Sequence, residues 1–154
     1  MKFSNFMRKP NHFFLWRWAM GFNILIVDDS SSIRRLLKKV LEFSGIELGE
    51  VLEASNGLEA LDVLKREWVD FILCDIHMPK MDGIQFLREL KRDEVLSRIP
   101  IIMVSTEGRE EIVQEVKALG IRAYVKKPFS PEEIREVIEN LIGEEFSRDE
   151  RASS

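Results

Sequence analysis

From Asn23 onward the chain alternates between two hydrophobic patterns. Short apolar runs of strand length occupy residues 24–27, 51–54, 71–74, 101–104 and 123–125, and each is followed by a stretch whose apolar residues recur every three to four positions. The first pattern predicts strands and the second helices. The helical faces carry Ile33, Leu36, Leu37, Val40 and Leu41, then Leu58, Leu61 and Leu64, then Ile84, Leu87 and Leu90. Ile112, Val113, Val116 and Leu119 mark the fourth, and Ile134, Val137, Ile138, Leu141 and Ile142 the fifth. Boundary residues agree with this division. Gly45 supplies a stop for the first helix and Asn56 a cap for the second. Ser130-Pro131-Glu132-Glu133 reads as a capping box with proline in the first helical position. Gly143 is expected to end the last helix, leaving 144–154 as a charged flexible tail.

The run 71–74 contains no charged or amide side chain, as a central strand covered on both faces requires. Five strand–helix units predict an α/β fold, a doubly wound five-stranded parallel sheet with five helices, in which ligands meet the carboxyl ends of the strands. The first strand ends in Asp28-Asp29, the third in Asp75, the fourth in Ser105-Thr106 and the fifth in Lys126-Lys127. Three carboxylates brought together raise one another's pKa unless a positive charge joins them. A lysine provides one, and because side chains alternate along a strand only one of Lys126 and Lys127 can face the pocket. An oxygen-only donor set selects a hard divalent cation, Mg2+, with Mn2+ able to replace it. Such a pocket suits phosphate, and a carboxylate on the central strand can attack phosphorus to give an acyl phosphate.

Composition narrows the rest. At 154 residues and 18.0 kDa, with 45% hydrophobic and 32% charged residues, the chain is expected to form one globular domain over 21–143. Residues 1–19 hold four of the 23 basic residues, Lys2, Arg8, Lys9 and Arg17, and none of the 27 acidic ones, which leaves a net −8 on the remainder. A body so acidic does not suit a nucleic-acid backbone. One cysteine, Cys74, allows no internal disulfide and reads as a core filler, and with two histidines it makes no ordinary zinc site. A cytoplasmic location is expected. Residues 1–20 form a basic, aromatic extension outside the core, too short and too interrupted for a signal peptide or a membrane span. Two readings of it stand: an early translation start with Met20 as the true initiator, or a segment that docks on a membrane surface or a partner.

Taken in order, these residues resemble a known family. Asp28-Asp29, Asp75 followed by Met78-Pro79 and Met81-Asp82-Gly83, Ser105 thirty residues after Asp75, and Lys127-Pro128-Phe129 are similar to the receiver domains of two-component response regulators, and among them single-domain chemotaxis-type regulators. The resemblance spans about residues 21–143. It implies a flavodoxin-like sheet of strand order 2-1-3-4-5. It also implies Asp75 as phosphoryl acceptor, Asp29 and Asp75 as direct metal ligands, Asp28 acting mainly through water, and the backbone carbonyl of His77 as the remaining protein ligand. Ser105 would bond a phosphoryl oxygen. Lys127 rather than Lys126 would be the pocket ammonium, before a proline bond that is commonly cis in the family. Tyr124 takes the aromatic switch position, and on phosphorylation its ring would move from an exposed position into space vacated by Ser105. The partners implied are a histidine kinase and a flagellar switch or chemotaxis protein, with a monomeric chain that assists its own phosphorylation and dephosphorylation without being a turnover enzyme. Only 144–154 follows the last expected helix, so output is expected through protein contacts.

Other readings make different demands. A phosphorelay intermediate would hand its phosphoryl group to a histidine phosphotransfer protein. A haloacid-dehalogenase-like phosphatase places a second aspartate two residues after its nucleophile, where this chain has His77. A flavin or nucleotide carrier needs a glycine- or hydroxyl-rich phosphate loop where Asp28-Asp29 stands. Asp28-Asp29 acting only as a helix cap would leave Asp75 and Lys127 unexplained. The His77 side chain reads as a modulator of water access, and Thr106 and Glu107 as residues placed to tune hydrolysis.

Overall fold

In the computed structural model, which describes residues 21–153 with side chains as far as residue 145, five strands form one parallel sheet. They are β1 (Phe22–Val27), β2 (Leu48–Ala54), β3 (Phe71–Cys74), β4 (Ile101–Ser105) and β5 (Ala123–Lys126), in the order β2-β1-β3-β4-β5. Between and after them run α1 (Ser31–Glu42), α2 (Gly57–Arg66), α3 (Gly83–Lys91), α4 (Glu110–Ala118) and α5 (Pro131–Ser153), with a short 3-10 turn at Leu96–Arg98. Fold class, helix number and strand order are those the sequence and its resemblance imply. The basic aromatic extension 1–20 lies outside the described residues.

Alternation along the strands divides the interior into two cores. Leu25, Val27, Ile72, Cys74, Ile101 and Met103 face α2, α3 and α4, meeting Ala60, Leu64, Phe86, Leu87, Leu90 and Val116. Ile24, Ile26, Phe71, Leu73, Ile102 and Val104 face α1 and α5, meeting Leu37, Val40, Leu41, Ile134, Ile138 and Leu141. All four residues of β3 are buried, so this strand is covered on both sides and delivers the residue after it, Asp75, to the centre of the sheet's carboxyl edge.

Some helical positions depart from the periodic reading. Leu36 is 43% exposed and Leu58 48% exposed, because the stripe that each helix lays on the sheet is narrower than its run of apolar residues. Phe86, fully buried, belongs to the α3 face instead. Gly143 does not end α5. The helix continues to Ser153, against the expected tail from residue 144, and Gly143 is not among the positive-φ glycines, so it lacks the left-handed conformation of a glycine cap. Arg122, just before β5, also pairs with Glu144 and Glu145 and so holds the turn beyond Gly143.

Caps fix how the helices enter. Ser30 accepts the Ile33 N–H to cap α1, so Asp28 and Asp29 are left to other partners. Asn56 caps α2 through the Glu59 N–H, and Ser130 with Glu133 forms the expected reciprocal box at α5. A second box, Asp82 with Gln85, starts α3 directly after the Asp75 loop.

Candidate functional site

Strand register assembles the pocket. Val27 pairs with Cys74, so the next residues, Asp28 and Asp75, emerge side by side, and the Asp75 N–H donates to the Val27 carbonyl at 2.9 Å. One carboxylate oxygen from each of Asp28, Asp29 and Asp75 lies within 4.8 Å of the others. Asp28 and Asp75 are buried and Asp29 is exposed, so the cluster opens to solvent on the Asp29 side.

Lys127 closes it. Its ammonium donates to Asp28 Oδ2 at 2.7 Å and to Asp75 Oδ2 at 3.2 Å, and its side chain is only 12% exposed. Lys126 is exposed and points elsewhere, as strand alternation demands. The Lys127–Pro128 peptide is cis. The other Asp75 oxygen accepts the Ile76 N–H at 2.7 Å, and Asp28 Oδ1 accepts the Ser30 N–H at 2.8 Å. Burial pushes the Asp28 carboxyl above its ordinary value despite the bonds from Lys127 and Ser30 that pull it down. For Lys127, burial disfavours the ammonium, but Asp28 and Asp75 outweigh it and raise its pKa.

Ser105 is fully buried at the end of β4, and its hydroxyl accepts the Glu107 N–H at 3.2 Å. Its carbonyl accepts the Lys127 N–H at 2.8 Å, which ties the serine to the lysine through backbone. Tyr124 is half-buried with its hydroxyl donating to the Glu107 carbonyl at 2.7 Å, so the ring is tucked toward the β4–α4 loop rather than in the expected exposed position. That hydroxyl bond gives the ring a reason to stay inward.

The His77 imidazole is exposed, its Nε2 3.0 Å from Glu107 Oε1. Arg109 grips the same carboxylate through Nη2 at 2.7 Å and Nε at 3.0 Å, and with His77 holds Glu107 far below the usual carboxylate range. This bridge between the loops after β3 and β4 was not legible beforehand. Its one signal is that His77 and Glu107 each stand two residues beyond a strand-end site residue, Asp75 and Ser105. Gly83 explains how the Asp75 loop fits: a Cβ there would lie 2.2 Å from the Asp75 carbonyl oxygen, so α3 can start this close only with glycine.

The pocket's donors are all carboxylate oxygens, and one ammonium faces three acids. That set fits a hard divalent cation by its chemistry and by the charge it leaves uncompensated. Among the described residues no helix is long and apolar enough to cross a membrane.

An acidic pocket with a single inward lysine, at the carboxyl edge of a doubly wound sheet in this order, defines a receiver-type signalling domain. The family model for the response regulator receiver domain matches residues 24–139, and the chain belongs to that family. It is similar to the chemotaxis protein CheY homolog of Campylobacter jejuni, 39% identical over 122 residues that cover 78% of this chain and 92% of the relative. Among solved structures it is similar to the chemotaxis response regulator CheY4 of Vibrio cholerae, with TM-score 0.71 and 34% identity over 79% of this chain and 99% of that one. It is also similar to the receiver domain of a sensor histidine kinase from Pseudomonas aeruginosa, with TM-score 0.70 and 27% identity over 80% of this chain and 98% of that one. That neighbour has a magnesium ion coordinated in its active site cleft.

Proposed function

We propose that this chain is a phosphorylation-activated switch that accepts a phosphoryl group on Asp75 from the phosphohistidine of a histidine kinase and signals through protein contacts in chemotaxis and flagellar motor control. The observation that carries this is the Lys127 ammonium bonded to Asp28 and Asp75 at once, at 2.7 and 3.2 Å. It holds the Asp75 carboxylate in place, and it can exchange that bond for one to a phosphoryl oxygen. In the transfer an Asp75 oxygen forms the new O–P bond while the N–P bond of phosphohistidine breaks, and the imidazole leaves with the electron pair and takes up a proton. Hydrolysis reverses the modification: water attacks phosphorus and the bond to Asp75 breaks.

Asp28, Asp29 and Asp75, with the His77 backbone carbonyl, would hold Mg2+ or Mn2+, whose charge neutralises the phosphoryl oxygens when bound. Ser105 then donates its hydroxyl to the modified Asp75. Because that hydroxyl accepts the Glu107 N–H and the Glu107 carbonyl accepts the Tyr124 hydroxyl, movement of Ser105 biases the β4–α4 loop and the tyrosine together. The motor assignment rests on the relatives named as chemotaxis proteins.

The test pairs a purified histidine kinase and labelled ATP with the full chain. Wild type is expected to take the label and then bind a flagellar switch component. Asp75→Asn should take none, and Tyr124→Ala should take label without binding. Label that passes to a histidine phosphotransfer domain, with no switch binding, would contradict the motor assignment; an unlabelled wild type would contradict the switch itself.

A further inference from the structure

Asp29 is the one pocket carboxylate whose direction is not fixed by its own bonds. Asp28 and Asp75 are each held by a backbone N–H and by Lys127, whereas among the described residues the exposed Asp29 side chain makes no such bond. Its aim therefore comes from the backbone leading into it. That backbone is pinned on one side by the Asp28 N–H, which donates to the Ala54 carbonyl at 3.1 Å. On the other side the Asp28 carbonyl, part of the peptide plane joining Asp28 to Asp29, accepts Arg34 Nη1 at 2.6 Å. Arg34 stands one turn into α1, its side chain 17% exposed, and its Nε is anchored by Glu53 Oε1 of β2 at 2.9 Å. A planar guanidinium held at both ends sets the orientation of what it donates to, as a flexible ammonium does not.

We propose that Arg34 is a positioning residue for the acidic pocket: by clamping the Asp28–Asp29 peptide to α1 and β2, it aims the Asp29 carboxylate for a divalent cation. This rests on the metal-dependent switch proposed above. Outer-shell groups that orient ligands are worth about 10–100-fold in metal affinity. Simple electrostatics has the opposite sign, since removing a positive charge near an acidic pocket tightens the binding of Mg2+.

The test measures Mg2+ affinity of the full chain by calorimetry, melting in chelator, and the Mg2+ dependence of phosphorylation by acetyl phosphate. Arg34→Met, which keeps the apolar stem, is expected to weaken Mg2+ binding about tenfold. Its phosphorylation rate should recover to that of wild type at saturating Mg2+, because Asp75 and Lys127 are untouched. Glu53→Gln, which keeps an oxygen acceptor for Arg34 Nε and leaves the bond to the Asp28 carbonyl in place, should stay within about twofold of wild type. Unchanged or tighter Mg2+ binding by Arg34→Met overturns the positioning role, and so does a rate defect that saturating Mg2+ does not repair. Failure of wild type itself to bind Mg2+ would instead overturn the underlying metal-dependent reading.

Discussion

Lys127 governs the pocket before any ligand arrives. Its pKa is raised above the ordinary 10.5, so its contribution to stability is complete below 10.5 and is lost as pH climbs through the folded value. Asp28 is raised above 3.8, so what it contributes is present below 3.8 and is lost as pH rises through its folded value. A cation bound at the pocket would offset the desolvation that raises Asp28, and protons compete with it for that carboxyl. Mg2+ should raise the melting temperature more at neutral pH than in mild acid. Lys127→Gln should bind Mg2+ several-fold more tightly, because the ammonium no longer competes for Asp28 and Asp75, and should lose the alkaline stability decline. Calorimetric titration and melting across pH check both. Asp28, Asp29 and Asp75 were legible in the sequence because each sits at a strand end, whereas alternation admitted only one of Lys126 and Lys127 and the resemblance chose Lys127. Arg34, and the Arg109–Glu107–His77 bridge, were not. Their long side chains reach between segments far apart in sequence, and their directions exist only once the loops are packed.

At the scale of elements, cap chemistry was the more readable signal and glycine the less. Asn56 and the Ser130–Glu133 box bond as their residue types require, since a side-chain oxygen next to orphan N–H groups has few alternatives. Glycine permits a stop without imposing one, and Gly143 lies inside α5 with open space where a Cβ would go. Gly143→Ala is therefore expected to stabilise the protein by about 0.5–1 kcal/mol, the cost of glycine within a helix. Chemical denaturation measures it. A loss of stability would mean that residue 143 terminates the helix after all. Leu36 and Leu58 carry a related lesson, because periodicity gives the apolar side of a helix but not how wide a strip the sheet covers.

Across the whole molecule, alternation of strand and helix implied a parallel sheet with two covered faces, and the paired cores bear this out. Strand order was not contained in that alternation, since several orders cover a central strand equally well; it came with the resemblance carried by the site residues. Order matters for function because β3 beside β1 brings Asp75 to Asp28, and β4 beside β5 ties Ser105 to Lys127. The central claim is that this arrangement makes Asp75 a reversible phosphoryl acceptor. Its most direct measurement is to label the full chain with acetyl phosphate and Mg2+ and to map the modified residue. The expected result is one acid-stable, base-labile phosphoryl group on Asp75, absent in chelator and in Asp75→Asn. Label of equal yield in Asp75→Asn, or on another residue of the wild-type chain, would contradict it.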